Sequence, residues 1–178
     1  LPGGEKHEFF MGWLSKAADY LESIKTPDGK PVPVIFRPWH EHTRNFFWWG
    51  VDLCTVEQYK ALWRMIYDYM TKERGFDHLV WSYSPDAGGL FVPEDFSDRY
   101  PDDDIIDLVG IDFYQFTPAD TFIEKMRSSL DMTMAFAKEH GKLMAVTETG
   151  CEGIKNPEWW TKVLYPSIKG YPVSYVLL

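Results

Sequence analysis

The sequence has little cysteine: Cys54 and Cys151 are the two among 178 residues. They can pair only if the fold brings them together, so they say little about redox compartment. Neither has a His/Asn pair beside it, which leaves cysteine-nucleophile chemistry without support. Long apolar runs are also missing. None approaches the roughly 20 residues that a membrane helix needs, and Leu1 to Phe10 has neither the basic nor the apolar region of a signal peptide. Basic clusters are absent, and a formal net charge of -9 would repel a phosphate backbone, so nucleic acid is a poor partner. No strand candidate is followed by a GxGxxG or GxxxxGK[ST] loop, which lowers a nucleotide-binding reading. Repeats and low-complexity segments are lacking.

Aromatic residues, by contrast, are plentiful. Eight Trp, ten Tyr and twelve Phe exceed what a core of this size needs, so part of them is expected to line a surface that meets flat apolar ligand faces, such as sugar rings. With 45% hydrophobic residues the chain is long enough to build one domain with a substantial core.

Periodicity divides the chain into alternating elements. Helical spacing runs over Glu8 to Ile24, Val56 to Lys72, Asp120 to Glu139 and Pro157 to Leu164, with His140-Gly141 as a C-cap. Short, nearly continuous apolar runs predict strands at Val32 to Arg37, Leu79 to Ser84, Leu108 to Tyr114, Leu143 to Thr147 and Val173 to Leu178. A helix is absent or short through Pro93 to Asp104. This α/β alternation indicates a parallel sheet, either doubly wound or part of a (β/α)8 barrel. Polar groups collect at strand C-terminal ends: His40 and Glu41, Ser84 and Asp86, Asp112 and Tyr114, and Glu148. Barrel enzymes draw their sites from several strand ends in this way.

Two of those groups carry the main chemical signal. Glu41 follows Phe36-Arg37-Pro38-Trp39-His40, and Glu148 sits in Val146-Thr147-Glu148-Thr149-Gly150. A retaining glycosidase needs one carboxyl to protonate the leaving oxygen and another, about 5 to 5.5 Å away, to attack the anomeric carbon. Desolvation by Trp39, Phe46, Phe47, Trp48 and Trp49 would favour the neutral form of Glu41. Hydrogen bonds from Arg37 and Tyr114, if they point at Glu148, would favour its charged form.

The run Phe46-Phe47-Trp48-Trp49 is expected to split between sugar platform and packing, and Trp81 to serve either a core layer or the sugar site. Trp159 and Trp160 read as packing. His40-Glu41-His42 invites a metal reading, but strand alternation would put the two histidines opposite Glu41, and no third ligand stands at helical spacing. Glu94 to Asp104 lacks the DxDxDG calcium pattern. No metal and no cofactor are expected.

These residues resemble a known family. Arg37-Pro38-Trp39-His40-Glu41, Trp48-Trp49-Gly50, Trp81-Ser82-Tyr83-Ser84-Pro85-Asp86, Gly110-Ile111-Asp112-Phe113-Tyr114 and Thr147-Glu148-Thr149-Gly150, in that order, are similar to glycoside hydrolase family 26. The resemblance implies a (β/α)8 barrel, a retaining mechanism and endo-cleavage of β-1,4-mannan, with mixed-linkage β-glucan and β-1,3-xylan as alternatives. A carbohydrate-binding barrel without turnover is a rival from another class.

The resemblance further implies Glu41 as acid/base, Glu148 as nucleophile, His40 as a partner near the site, Tyr114 as a donor to the nucleophile and Trp81 near the sugar. The candidate substrate-binding set is therefore Arg37, His40, Phe46, Trp48, Trp49, Trp81 and Tyr114. Arg44 and Phe46 stand where the family pattern has glycine and then tryptophan. A whole barrel takes about 250 residues, and the five strands look like the fourth to the eighth. Residues 1–178 are thus expected to be the C-terminal part of one catalytic domain, an incomplete barrel. A β-linked polysaccharide partner and a secreted or cell-surface location are also implied by the resemblance.

Overall fold

A computed structural model describes all residues, Leu1–Leu178. Five strands, β1 (Val34–Phe36), β2 (Leu79–Tyr83), β3 (Leu108–Tyr114), β4 (Leu143–Gly150) and β5 (Val173–Val176), form one sheet in sequential order with every neighbouring pair parallel. That order decides between the two sheet types left open by the sequence. A doubly wound sheet reverses direction at a switch point, whereas strands added always on the same side build a barrel wall.

Helices cover one face of this wall. Helix α1 (His7–Ser23) buries Leu14, Ala18 and Leu21, a stripe at i, i+4, i+7, and leaves Phe9, Trp13 and Tyr20 exposed. Helix α2 (Val56–Asp68) starts at a capping box in which Thr55 and Gln58 satisfy each other's backbone N–H groups. It buries Tyr59, Leu62, Trp63 and Ile66 and runs on into a wider π-type turn at Tyr69–Glu73. A short helix, α3 (Pro93–Ser97), stands in the Pro/Asp-rich stretch. Helix α4 (Ala119–His140) ends where Gly141 adopts φ 65°, a left-handed C-cap that costs glycine nothing. A π-type turn at Trp160–Leu164 leads into α5 (Tyr165–Ile168).

Trp81 and Tyr83 of β2 pack on Trp63 of α2, and Phe113 of β3 stacks on Phe122 of α4 at 5.2 Å. Trp63, Trp81, Tyr83 and Phe122 belong to one contiguous core of 30 buried residues, against which Phe113 packs. The opposite face carries Arg37, Ser84, Asp112, Tyr114 and Glu148, which bond to one another.

Strand β4 extends to Gly150, beyond the expected Thr147, so Glu148 lies on the strand rather than past its end. The register explains how it still faces the polar side. Ile111 pairs with Val146 but Asp112 pairs with Glu148, leaving Thr147 as the extra residue of a bulge. Thr147 fills the space over Gly110, where a Cβ would come within 2.5 Å of its Cγ2. Alternation alone would turn Glu148 toward the helices; the bulge turns it back.

Both outer strands are unpaired along one edge. Ile35 in β1 is 46% exposed, and the β5 end leaves Leu177 and Leu178 exposed. Such edges template pairing with another chain. The 178-residue polypeptide expressed alone is therefore expected to elute as aggregate, or to melt without a cooperative transition. A monodisperse monomer with a sharp calorimetric transition would contradict this.

Candidate active site

Strand β1 ends at Phe36, and the next residues do not continue its alternation. Trp39 and Glu41 adopt φ 56° and 52°, left-handed conformations that cost a non-glycine residue about 1–2 kcal/mol each. Surrounding hydrogen bonds hold them there. Tyr59 Oη donates to the Trp39 carbonyl at 2.8 Å, Trp49 Nε1 to the His40 carbonyl at 2.8 Å, and the Glu41 N–H to the Ser84 carbonyl at 2.8 Å. Arg99, itself buried, donates to the Cys54 and Trp49 carbonyls and lies 4.5 Å over the Tyr59 ring, so it pins the whole loop from behind.

This turn corrects the alternation expected for His40-Glu41-His42. His42 is fully buried between the rings of Tyr59 and Tyr83, at 4.8 and 4.7 Å, with no hydrogen bond to either nitrogen. Burial, aided by the Arg99 charge, holds its proton affinity well below the ordinary histidine value and keeps it neutral. His40 instead packs on Phe47 at 4.9 Å, and its Nε2 lies 3.9 Å from Glu41 Oε2. The two histidines serve different surroundings, and no group of three metal-ligating side chains forms.

Arg37 joins four strands. Its Nη1 donates to Ser84 Oγ at the end of β2 and to Asp112 Oδ2 in β3, both at 2.9 Å, while its Nη2 donates to Glu148 Oε1 in β4. Tyr114 Oη donates to Glu148 Oε2 at 2.8 Å. Each oxygen of Glu148 therefore has its own donor. Burial pushes this carboxyl up, but the Tyr114 hydrogen bond and the Arg37 charge outweigh it and hold Glu148 below its ordinary value. Glu41 has no such donors. Burial, with the charges of Asp86 and Glu148, pushes it up to about 7 against the weaker pull of Arg37 and Arg44. Two glutamates at one end of the sheet thus differ sharply in proton affinity, and a pair so separated is equipped to act as acid and as nucleophile.

The expected binding set divides. Arg37 and Tyr114 are engaged on Glu148, and His40 sits beside Glu41. Phe46 is 59% exposed in the loop after Glu41. Trp49 stacks on Phe47 at 4.5 Å and is half-buried. Trp48 turns elsewhere: it lines a groove with His7, Phe9, Phe10, Leu53 and Leu62, and neither glutamate lines that groove. Trp81 requires a correction. It is 3% exposed and packed among Phe36, Trp63 and Tyr67, so it belongs to the layer between sheet and helices and offers no face to a sugar. Trp159 is buried as packing, while Trp160 remains 40% exposed.

Asp112 and Ser84 join the site although only their strand-end positions mark them in the sequence. Burial pushes the fully enclosed Asp112 carboxyl up to about 7 in spite of Arg37. What the sequence does not reveal is that one guanidinium serves both Asp112 and Glu148.

No helix is long and apolar enough to cross a membrane. A mannan endo-1,4-beta-mannosidase of Bifidobacterium adolescentis is 33% identical over 159 residues, 86% of this chain and 16% of that protein. One of Bacillus subtilis is 44% identical over 57% of this chain and 28% of its own length. Among solved structures, a family 26 β-mannanase from Bacteroides ovatus matches 99% of this chain at TM-score 0.95 and 46% identity. A modular endo-beta-1,4-mannanase from Cellulomonas fimi matches 99% at 0.89 and 30%. The chain spans 51% and 41% of those two structures, and five of a barrel's eight strands, so the fold is an incomplete (β/α)8 barrel. The sequence model of Glycosyl hydrolase family 26 matches residues 1–156, and with that match the chain belongs to this family.

Proposed function

We propose that residues 1–178 are the C-terminal part of the catalytic domain of a retaining endo-β-1,4-mannanase, with Glu148 as nucleophile and Glu41 as acid/base. One observation carries this reading: at one end of the sheet each oxygen of Glu148 takes a donor, from Arg37 and from Tyr114, while Glu41 has none, so their proton affinities diverge. The names of the relatives, mannan endo-1,4-beta-mannosidases, support mannan as the substrate. A polymer of that size is met outside the cell, which favours a secreted or surface-attached protein.

In the first step the ionised Glu148 attacks the anomeric carbon while Glu41 gives its proton to the leaving oxygen. Arg37 and Tyr114 keep Glu148 ionised and aim it. A glycosyl ester on Glu148 results, and Glu41 is now a carboxylate. In the second step Glu41 takes a proton from water, the hydroxide displaces Glu148, and both side chains return to their starting forms. His40, packed on Phe47 beside Glu41, restricts that carboxyl's motion. Reducing-sugar release by the full-length protein from mannan, mixed-linkage β-glucan and β-1,3-xylan tests the substrate; mannan is expected to be cleaved fastest, and a preference for either other polymer would overturn the choice.

Substitutions separate the two roles. Glu148→Ala is expected to abolish turnover of every substrate. Glu41→Ala should lose roughly a hundred- to ten-thousand-fold on mannan yet still form the glycosyl ester from a substrate whose leaving group needs no proton, with azide speeding its breakdown. Equal losses on both substrate types, without azide rescue, would refute the assignment.

The pH dependence follows from the same pair. Activity requires Glu41 protonated and Glu148 ionised, so kcat/KM should fall as pH rises through about 7, where Glu41 loses its proton. It should fall again only below the ordinary carboxylate range, because Glu148 is held low. Tyr114→Phe removes one donor to the Glu148 carboxylate, so its acid limb is expected to move to higher pH while the basic limb stays near 7. A profile in which only the basic limb moves would show that Tyr114 acts on the other carboxyl.

A further inference from the structure

The loop after Glu41 holds a second guanidinium that the two-step mechanism does not use. Arg44 has its backbone fixed at both ends: its N–H donates to the Glu41 carbonyl at 3.1 Å, and its carbonyl accepts from the Val51 N–H at 3.2 Å. Gly50 makes this possible, since a Cβ there would come within 2.1 Å of the Arg44 oxygen. The side chain is anchored as well. Its guanidinium lies 5.3 Å over the Phe46 ring, and Nη1 is 3.9 Å from Asp86 Oδ1. A Cβ on Gly88 would fall 2.8 Å from that carboxylate oxygen and 2.9 Å from Nη1, so the absence of a side chain at 88 lets the two charges approach.

Position relative to the glutamates gives the group its role, which rests on the retaining mechanism proposed above. The general acid sits at the glycosidic oxygen and the nucleophile beneath the anomeric carbon, so residues grouped around Glu41 border the departing sugar. Arg44 begins three residues after Glu41, and its charge is felt at that carboxyl. The glycone side is served by the groups around Glu148.

We propose that Arg44 is a specificity-determining residue on the leaving-group side of the cleft, where its guanidinium, held between Phe46 and Asp86, donates hydrogen bonds to hydroxyl oxygens of the departing sugar chain. The 3.9 Å ion pair is too long for a hydrogen bond and leaves the five N–H donors of the fork unspent on Asp86. With 42% of its side chain exposed, the fork is open to a ligand, as is Phe46 beneath it. Because Asp86 balances the positive charge, the site suits neutral hydroxyl acceptors rather than carboxylated sugars.

The test uses the full-length protein and two substrates that differ only beyond the cleaved bond. Mannotetraose places sugars on the leaving side, whereas 4-nitrophenyl β-mannobioside places a nitrophenol there. Arg44→Gly is expected to lose about tenfold more kcat/KM on mannotetraose than on the nitrophenyl substrate, the size of one hydrogen bond from a charged donor. Most of the difference should lie in KM. Arg44→Lys keeps the charge but not the planar fork, and should fall between the wild type and the glycine variant. Equal losses on both substrates, in variants whose melting temperatures match the wild type, would overturn the inference and leave the catalytic assignment standing. A wild-type protein that cleaves neither substrate would overturn that assignment itself.

Discussion

One guanidinium organises the polar end of this sheet. Arg37 leaves β1 and reaches the end of β2 at Ser84, β3 at Asp112 and β4 at Glu148. With its side chain 16% exposed, it is a largely buried charge. It is tolerated because it is paired with two carboxyl groups and the Ser84 hydroxyl; removing both carboxyls would leave an uncompensated charge in a low-dielectric site. The strand ends are therefore tied together by electrostatics as well as by backbone pairing.

That single positive charge is asked to serve more than one carboxylate, and the environment decides which of them ionises. Asp112 is fully enclosed and is pushed up to about 7, whereas Glu148 is more open, owns the Tyr114 donor and is held low. Glu41 has neither a donor nor a close cation and remains protonated to about 7. Chemically similar groups thus fall into separate roles through burial, hydrogen bonding and neighbouring charge. A cation at Arg44 moderates the same balance from the far side through Asp86.

Much of this was legible in the residues. All five strands, the long helices, the Gly141 cap and the two glutamates follow from periodicity and strand-end placement. The roles of Arg37 and Tyr114 as donors to Glu148 were readable as a conditional, because they stand at strand ends of the matching kind. Three features were not legible, and all depend on backbone devices or on long-range packing. The bulge at Thr147 changes which way Glu148 faces, and no local propensity marks it. Left-handed Trp39 and Glu41 break strand alternation, because bonds from Tyr59 and to Ser84, far along the chain, hold residues with no intrinsic preference for that region. Trp81 could be placed in the core only once Trp63 and Tyr67 of α2 were known to cover it.

The polar face draws on neighbouring strands, and one bond, from Arg37 to Glu148, reaches from the end of β1 to β4, three strands away. Arg37, Ser84, Asp112, Tyr114 and Glu148 come from four consecutive strands, each hydrogen-bonded to the next. Their relative placement is set by neighbouring register, including the Asp86–Asp112 bridge that carries the β2–β3 pairing past the strand end. Closure of the wall contributes something different: it removes the edges at β1 and β5 and excludes water from the inner face, where Ile35 lies exposed in this five-strand sheet. The placement of Arg37, Asp112, Tyr114 and Glu148 is thus set within these four strands.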